Sequence, residues 1–131
     1  MRGNMDPIRV LLVDDSPLFL ASTARVLAAD PNLDIVGRVL SGQAALEQIA
    51  STACDLVLVD LAMPDMNGLE VARRLRQLAQ PPRIVLLSLD DTPEYRTAAA
   101  VCTDGFVGKS SAATQLLPLI HSLFHAAQAS A

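Results

Sequence analysis

Short apolar runs alternate with longer amphipathic segments along the whole chain. Five runs rich in Val, Ile and Leu predict buried strands, because runs of this length bounded by turn residues are typical of them. These predicted strands cover residues 8–13, 33–39, 54–59, 83–87 and 105–108. A segment with apolar residues at helical spacing follows each strand; in the last one they are Leu116, Ile120, Leu123 and Phe124. Five strand–helix pairs predict an α/β fold with a parallel sheet, helices on both of its faces and right-handed crossovers.

The composition fits one domain with an aliphatic core. The chain has 131 residues, of which 51% are hydrophobic and only 3% aromatic, and it contains no Trp. We divide it into an N-terminal extension at 1–6, a domain at 7–126, and a tail or start of a linker at 127–131. The net charge of −4 argues against a nucleic-acid-binding surface in this domain, since such a surface needs clustered Lys and Arg.

Several features indicate where the protein works. Two cysteines, Cys54 and Cys102, are too few for a disulfide framework or a zinc site, so we expect reduced thiols. No run approaches the roughly 20 apolar residues of a membrane span, and the first residues lack the apolar run of a signal peptide. We therefore expect a cytoplasmic protein that does not associate with membranes.

Polar residues stand where four of the predicted strands end. Asp14 and Asp15 follow the first strand, Asp60 the third, Ser88 the fourth and Lys109 the fifth. Ligand sites in open parallel sheets lie beyond the carboxyl ends of the strands, so we expect these side chains to gather at one edge.

The three acidic side chains predict a metal site. Clustered carboxylates repel one another, which is costly unless a cation joins them. Oxygen ligands without His or Cys suit a hard cation such as Mg²⁺, which keeps several waters. The predicted ligands are Asp14, Asp15, Asp60 and the backbone carbonyl of Ala62.

The same edge carries the parts needed for phosphoryl transfer. Asp60 is the best candidate for the nucleophile, because it alone ends the central strand, opposite Ser88 and Lys109. Lys109 would add a second positive charge and Ser88 a hydroxyl donor around the phosphoryl oxygens.

Four segments at these strand ends resemble the signatures of the response-regulator receiver family. They cover residues 12–16, 58–68, 87–88 and 105–109, and the resemblance extends over about residues 8 to 125. One such motif alone would be weak, but four in order at receiver-like spacing are specific. The resemblance implies a flavodoxin-like, doubly wound (βα)5 domain with strand order 2-1-3-4-5.

The resemblance also implies a role for each residue. Asp60 would be the phosphoacceptor and would bind Mg²⁺ directly together with Asp15, with Asp14 close by. Lys109 would pair with the carboxylate and then with the phosphoryl group. Ser88 and Phe106 would be the switch residues: the hydroxyl swings toward the phosphoryl group, and the aromatic ring buries itself in the active state.

This sequence departs from the family pattern in two places. Ser110 stands where the family often has a proline after the lysine, so no cis peptide bond is assumed. Ala62 and Asp90 lie where side chains would control the access of water to an aspartyl phosphate, which leaves the lifetime of the phosphate open.

The expected function is a phosphorylation switch rather than a turnover enzyme. A sensor histidine kinase or a histidine phosphotransfer protein would donate the phosphoryl group, and an output domain or effector protein would receive the signal. Segments such as 33–37, 41–42 and 109–110 look most like receivers of helix-turn-helix regulators, which suggests transcriptional control through a domain outside this chain. A phosphorylation-dependent homodimer through the fourth and fifth helices is a further hypothesis.

Two other functions compete with this one. A pseudo-receiver would act as a docking module without phosphorylation, but here every acidic, hydroxyl and lysine position is filled. A phosphatase of the haloacid-dehalogenase type would also use an aspartate after a strand. Such an enzyme needs a second aspartate two residues further on, where this chain has Ala62.

Overall fold

A computed structural model describes residues 6–89 and 92–129, with side chains up to residue 125. The predicted N-terminal extension lies outside the described residues except for Asp6, as do Asp90 and the last two residues of the predicted tail. Expectations about those positions stay predictions. Within the described residues, no helix is both long enough and apolar enough to cross a lipid bilayer.

Five strands form one parallel sheet in the order β2-β1-β3-β4-β5, which confirms the predicted fold class. The strands are β1 (Ile8–Val13), β2 (Leu33–Val39), β3 (Leu56–Asp60), β4 (Arg83–Ser88) and β5 (Gly105–Gly108).

The third strand begins at Leu56, so the predicted start at residue 54 was wrong by two residues. The carboxylate of Asp55 accepts hydrogen bonds from the backbone N–H of Arg9 (2.9 Å) and from its guanidinium (3.0 Å from both Nε and Nη2). Because this side-chain pair ties Asp55 to the start of β1, the chain turns there and becomes regular strand only after it.

Five helices connect and cover the strands. They are α1 (Pro17–Leu27), α2 (Gly42–Ser51), α3 (Gly68–Arg76), α4 (Pro93–Cys102) and α5 (Ala112–Ala129), with a 3-10 turn at Lys109–Ser111 before α5. Side-chain oxygens accept a backbone N–H at the start of α1 to α4, and the capping residues are Ser16, Ser41, Asn67 and Thr92. α1 ends at Leu27, three residues before Asp30 and Pro31.

The core lies on both faces of the sheet and is aliphatic, as the composition predicts. Alternate residues of a strand point to opposite faces. Leu11 therefore packs on the side of α2, α3 and α4, and Leu12 packs on the side of α1 and α5. All five residues of β3 are buried. Asp60, the last residue of this central strand, therefore lies at the middle of the carboxyl edge of the sheet.

Candidate functional site

The structure brings the predicted site residues other than Phe106 together at one edge of the sheet, around one cleft. Asp14 follows β1, Asp60 ends β3, Ser88 ends β4 and Lys109 follows β5, so each is positioned by the carboxyl end of a strand. The cleft has a volume of about 450 Å³, and Asp15, Asp60, Ser88 and Lys109 are among its lining residues.

Lys109 lies between two buried carboxylates. Its Nζ is 2.7 Å from Oδ2 of Asp14 and 3.3 Å from Oδ1 of Asp60. Asp14 is 2% exposed and Asp60 is 3% exposed, so both charges sit beneath the surface. Their other contacts are backbone ones: Ser16 N–H donates to Asp14 Oδ1 at 2.9 Å, and Ala62 N–H donates to Asp60 Oδ1 at 3.4 Å.

Two carboxylates share one lysine, and Asp60 lies farther from its ammonium than Asp14 does. Burial raises the pKa of the Asp60 carboxyl above its ordinary value, and the negative charge of Asp14 raises this pKa further. The positive charge and the hydrogen bond of Lys109 act against both effects without cancelling them. Ionised Asp60 is therefore held at a cost to the stability of the folded protein.

Removing the negative charge of Asp60 should stabilise the protein when no metal ion is present. We expect Asp60→Asn to raise the free energy of unfolding by about 1–2 kcal/mol at pH 7, because Lys109 keeps its shorter contact to Asp14. A raised folded-state pKa means that the wild-type protein gains stability as the pH falls. The advantage of the variant should therefore be full above the folded-state pKa of Asp60 and vanish below the unfolded-state pKa, near about 4. Urea denaturation of both proteins across this pH range measures it; a variant less stable than wild type at pH 7 would contradict the account.

The acidic residues fit a Mg²⁺ ion. Asp14, Asp15 and Asp60 each offer a carboxylate oxygen, and these three atoms lie within 4.8 Å of one another. Oδ2 of Asp14 is buried and has no hydrogen-bond partner among the described residues, since its close contact to Lys109 is an ion pair without hydrogen-bond geometry. An all-oxygen set with two buried members and one exposed member, Asp15, suits a hard cation that keeps part of its water. Ala62 lies in the loop directly after β3, and its carbonyl as a ligand stays a prediction.

The two predicted switch residues lie on neighbouring strands. Ser88 is 3% exposed and pairs in register with Gly108 on β5. Phe106 lies two residues before Gly108 and is half-buried against the core beneath α3 and α4. The guanidinium of Arg96 on α4 lies 4.8 Å from the centroid of the Phe106 ring. Phe106 is therefore placed outside the cleft, at a boundary between core and solvent.

Comparison with known proteins identifies the family. The sequence pattern of the response regulator receiver domain matches residues 10–121. The chain belongs to this family. Among curated proteins, this receiver is 34% identical over 120 residues to the nitrate/nitrite response regulator protein NarL of Escherichia coli K12, with 91% of the chain and 56% of that protein covered. It thus spans about half the length of this relative.

Solved structures agree with this assignment. The signal receiver domain of NarL from Mycobacterium tuberculosis has a TM-score of 0.81 and 32% identity, with 94% of this receiver and 98% of that chain covered. The isolated receiver domain of RcsB from Salmonella enterica has a TM-score of 0.84 at 20% identity over 90% of this chain and 88% of that one, which supports the fold alone. Some relatives are enzymes: a protein-glutamate methylesterase/glutaminase of Nocardioides is 39% identical over 84 residues, which are 64% of this chain and 23% of that protein.

Three features of this receiver's site were not predicted from the sequence. Asp14, rather than Asp60, is the nearer partner of Lys109. The ring of Phe19 lies 4.3 Å from Nζ of Lys109, measured to the ring centroid, and Arg96 covers Phe106. Phe19 belongs to the apolar pattern of α1, and no local signal distinguishes a core phenylalanine from one that contacts a charged group.

Proposed function

We propose that this receiver accepts a phosphoryl group on Asp60 from a phosphohistidine donor, either a sensor histidine kinase or a histidine phosphotransfer protein. The observation that carries the proposal is the placement of Asp60. Its carboxylate is buried at the end of the central strand, lies 3.3 Å from Lys109 and faces a cleft large enough for a phosphoryl group. Burial and the charge of Asp14 raise the pKa of the Asp60 carboxyl, and perturbed carboxylates of this kind are typical of catalytic sites, which supports a role for Asp60 as the nucleophile.

The transfer step needs only groups that the chain and the donor supply. An oxygen of the Asp60 carboxylate attacks phosphorus, and the P–N bond of the donor histidine breaks. The electron pair of that bond stays on the imidazole nitrogen, which takes up a proton from solvent, and an acyl phosphate forms on Asp60. Lys109 and the hydroxyl of Ser88 lie beside Asp60, where they can stabilise the equatorial oxygens of the transferred group. Attack of water on phosphorus later returns the carboxylate and releases inorganic phosphate.

Mg²⁺ belongs to this proposal as the cofactor held by Asp14, Asp15, Asp60 and the Ala62 carbonyl. When bound, the ion would neutralise the acidic cluster and the charge of the phosphoryl oxygens. The three carboxylate oxygens of Asp14, Asp15 and Asp60, which lie within 4.8 Å of one another, support this role.

The signal is carried by Ser88 and Phe106. A phosphoryl group on Asp60 offers Ser88 a strong acceptor, so its hydroxyl turns toward the cleft. Phe106 then moves inward from its half-buried position and leaves Arg96, which changes the surface formed by α4 and β5. Phosphorylation thus biases a two-state element rather than creating a new fold.

The output is transcriptional control through a helix-turn-helix domain outside residues 7–126, with 127–131 as a tail or the start of a linker. One relative that is 34% identical over 116 residues, 88% of this chain and 54% of that protein, is named as a transcriptional regulatory protein NarL of Mycobacterium tuberculosis. This domain itself would not contact nucleic acid, would act in the cytoplasm and would form a phosphorylation-dependent homodimer. In this role it would catalyse only its own phosphorylation and dephosphorylation, rather than act as a turnover enzyme.

The test is to incubate the protein with Mg²⁺ and acetyl phosphate and to follow its intact mass. We expect the gain of one phosphoryl group, which requires Mg²⁺ and is absent in Asp60→Asn. Asp34→Asn is the matched control, because it removes an exposed carboxylate of β2 far from the cleft and should not affect the gain. A folded protein that gains no phosphoryl group from acetyl phosphate or from phosphoramidate would refute the proposal and favour the pseudo-receiver that only docks a partner.

A further inference from the structure

The ammonium of Lys109 is enclosed on three sides. Two sides are the carboxylates of Asp14 and Asp60, at 2.7 and 3.3 Å from Nζ. The third is the face of the Phe19 ring, whose centroid lies 4.3 Å from Nζ. The Lys109 side chain is only 9% exposed, so the ring occupies a direction from which water would otherwise reach the charge.

A ring in this position does more than fill space. A cation within about 6 Å of an aromatic centroid is attracted by the negative face of the ring, and the attraction grows when the cation is shielded from water. An aliphatic side chain of similar volume would exclude water equally well but would not stabilise the charge. The contact therefore gives the ammonium a preferred place without using any of its N–H donors.

The position of Phe19 is fixed by the start of α1. The hydroxyl of Ser16 accepts the backbone N–H of Phe19 at 3.2 Å, and the N–H of Ser16 donates to Asp14 Oδ1 at 2.9 Å. Asp14, Ser16 and Phe19 thus form one hydrogen-bonded unit at the end of β1. The two neighbours of Phe19 point elsewhere, with Leu18 79% exposed and Leu20 buried in the core.

We infer that Phe19 is a positioning residue for Lys109, and that the face of its ring holds the ammonium where it can serve both Asp60 and the phosphoryl group Asp60 accepts. The part of this inference that concerns phosphoryl transfer rests on the proposed function. The part that concerns the ammonium itself does not. Phe19 takes no part in bond making or breaking; it restricts the positions open to Lys109.

Lys109 is the single lysine of the chain, which makes its ammonium easy to observe. Labelling with ¹⁵N-lysine gives one side-chain ammonium signal, whose proton exchange with water reports how firmly the ammonium is held in its enclosed position. The decisive variants place phenylalanine rings with one, two or three fluorines at position 19, since fluorine weakens the negative ring face with little change in size. Phe19→Tyr keeps the ring face and Phe19→Leu removes it. Phe124→Leu is the control, because Phe124 packs against the same core cluster from α5 but lines a groove near Arg9.

We expect the ammonium protons of Phe19→Leu to exchange roughly three- to tenfold faster than in wild type, and phosphorylation by acetyl phosphate to slow by a similar factor. Phe19→Tyr should keep both the exchange rate and the phosphorylation rate near their wild-type values. In the fluorinated proteins, exchange should become faster and phosphorylation slower with each added fluorine. Phe124→Leu should change neither.

Two results would overturn the inference. The first is an ammonium exchange rate in Phe19→Leu equal to that of wild type. The second is a leucine variant that is phosphorylated more slowly while the fluorinated proteins all behave like wild type, because this would show that only the volume of the side chain matters. If Phe19→Leu does not fold, the nearly isosteric fluorine series still decides. If the wild-type protein takes no phosphoryl group, the proposed function fails while the exchange data still test Phe19.

Discussion

Replacing Lys109 with methionine should lower the free energy of unfolding by about 3 kcal/mol at pH 7 in Mg²⁺-free buffer. Methionine keeps most of the side-chain volume, so the loss would be one of charge rather than of packing. Asp14 and Asp60 would then face each other without the ammonium that lies 2.7 and 3.3 Å from them. Breaking a buried ion pair costs about 3–5 kcal/mol, and the lower end applies here because the cleft opens to solvent.

The pH dependence of this loss follows from Asp60. The charge and hydrogen bond of Lys109 are the main influences that hold the Asp60 pKa down, so this pKa should rise further in the variant. A group with a raised folded-state pKa binds its proton more tightly in the folded protein, and folding is favoured as the pH falls through that pKa. The deficit of Lys109→Met relative to wild type should therefore shrink from pH 7 to pH 5.

Urea denaturation at the two pH values measures this effect. Arg38→Met is the control, since it removes an exposed positive charge of β2 and should change stability by less than about 0.5 kcal/mol. A deficit under about 1 kcal/mol, or one that grows on acidification, would mean that the carboxylates do not depend on Lys109. Phosphorylation of Lys109→Met by acetyl phosphate should also be slower by about 100-fold, the usual scale for losing one such electrostatic contact.

The position of the site could be predicted from the sequence because topology determines it. Each strand is a short apolar run that ends at a polar residue, and parallel strands bring their carboxyl ends to one edge. Asp60 and Ser88 therefore had to approach one another whatever the details of packing. The same reasoning placed Lys109 beside them, and the structure agrees for all three.

The contacts within the site could not be predicted, because they depend on how helices lie on the sheet and on side-chain rotamers. The ring of Phe19 reaches Lys109 across 90 positions of sequence, and the packing of α1 against α5, the helix that follows Lys109, creates that contact. His121 on α5 pairs with Asp30 after α1 in the same way, across 91 positions. Neither pairing leaves a local signal in the apolar pattern.

Gly68 was named from the sequence only as the last residue of the signature segment 58–68, but the structure gives it a specific reason to be glycine. A Cβ at this position would lie 2.4 Å from the carbonyl oxygen of Asp60 and 2.7 Å from Cδ1 of Leu86. The backbone angle φ is not positive here, so close approach rather than conformation excludes a side chain. The N–H of Gly68 also donates to the carbonyl of Leu61 at 2.8 Å, which closes the loop over the end of the central strand.

Gly68→Ala should therefore lower the free energy of unfolding by about 2–3 kcal/mol. Alanine reduces the entropy of the unfolded chain and would by itself add about 0.4–1 kcal/mol of stability. The obstructing atom, however, is the backbone carbonyl oxygen of Asp60, which cannot rotate away. Either α3 shifts outward or Asp60 moves. Both displace the loop that carries Ala62, so Mg²⁺ should also raise the thermal midpoint of the variant less than that of wild type.

Gly108→Ala provides the matched comparison at the other side of the cleft. The nearest atom to a Cβ there is the carbonyl oxygen of Ser88 at 3.9 Å, and the backbone angles of −67° and 139° are open to any residue. This variant should be as stable as wild type or slightly more stable. If both alanine variants unfold at the same urea concentration, the close packing of α3 on Asp60 does not constrain the site. If only Gly68→Ala is destabilised and responds weakly to Mg²⁺, Asp60 is held in place both by its own strand, β3, and by the close approach of the first residue of α3.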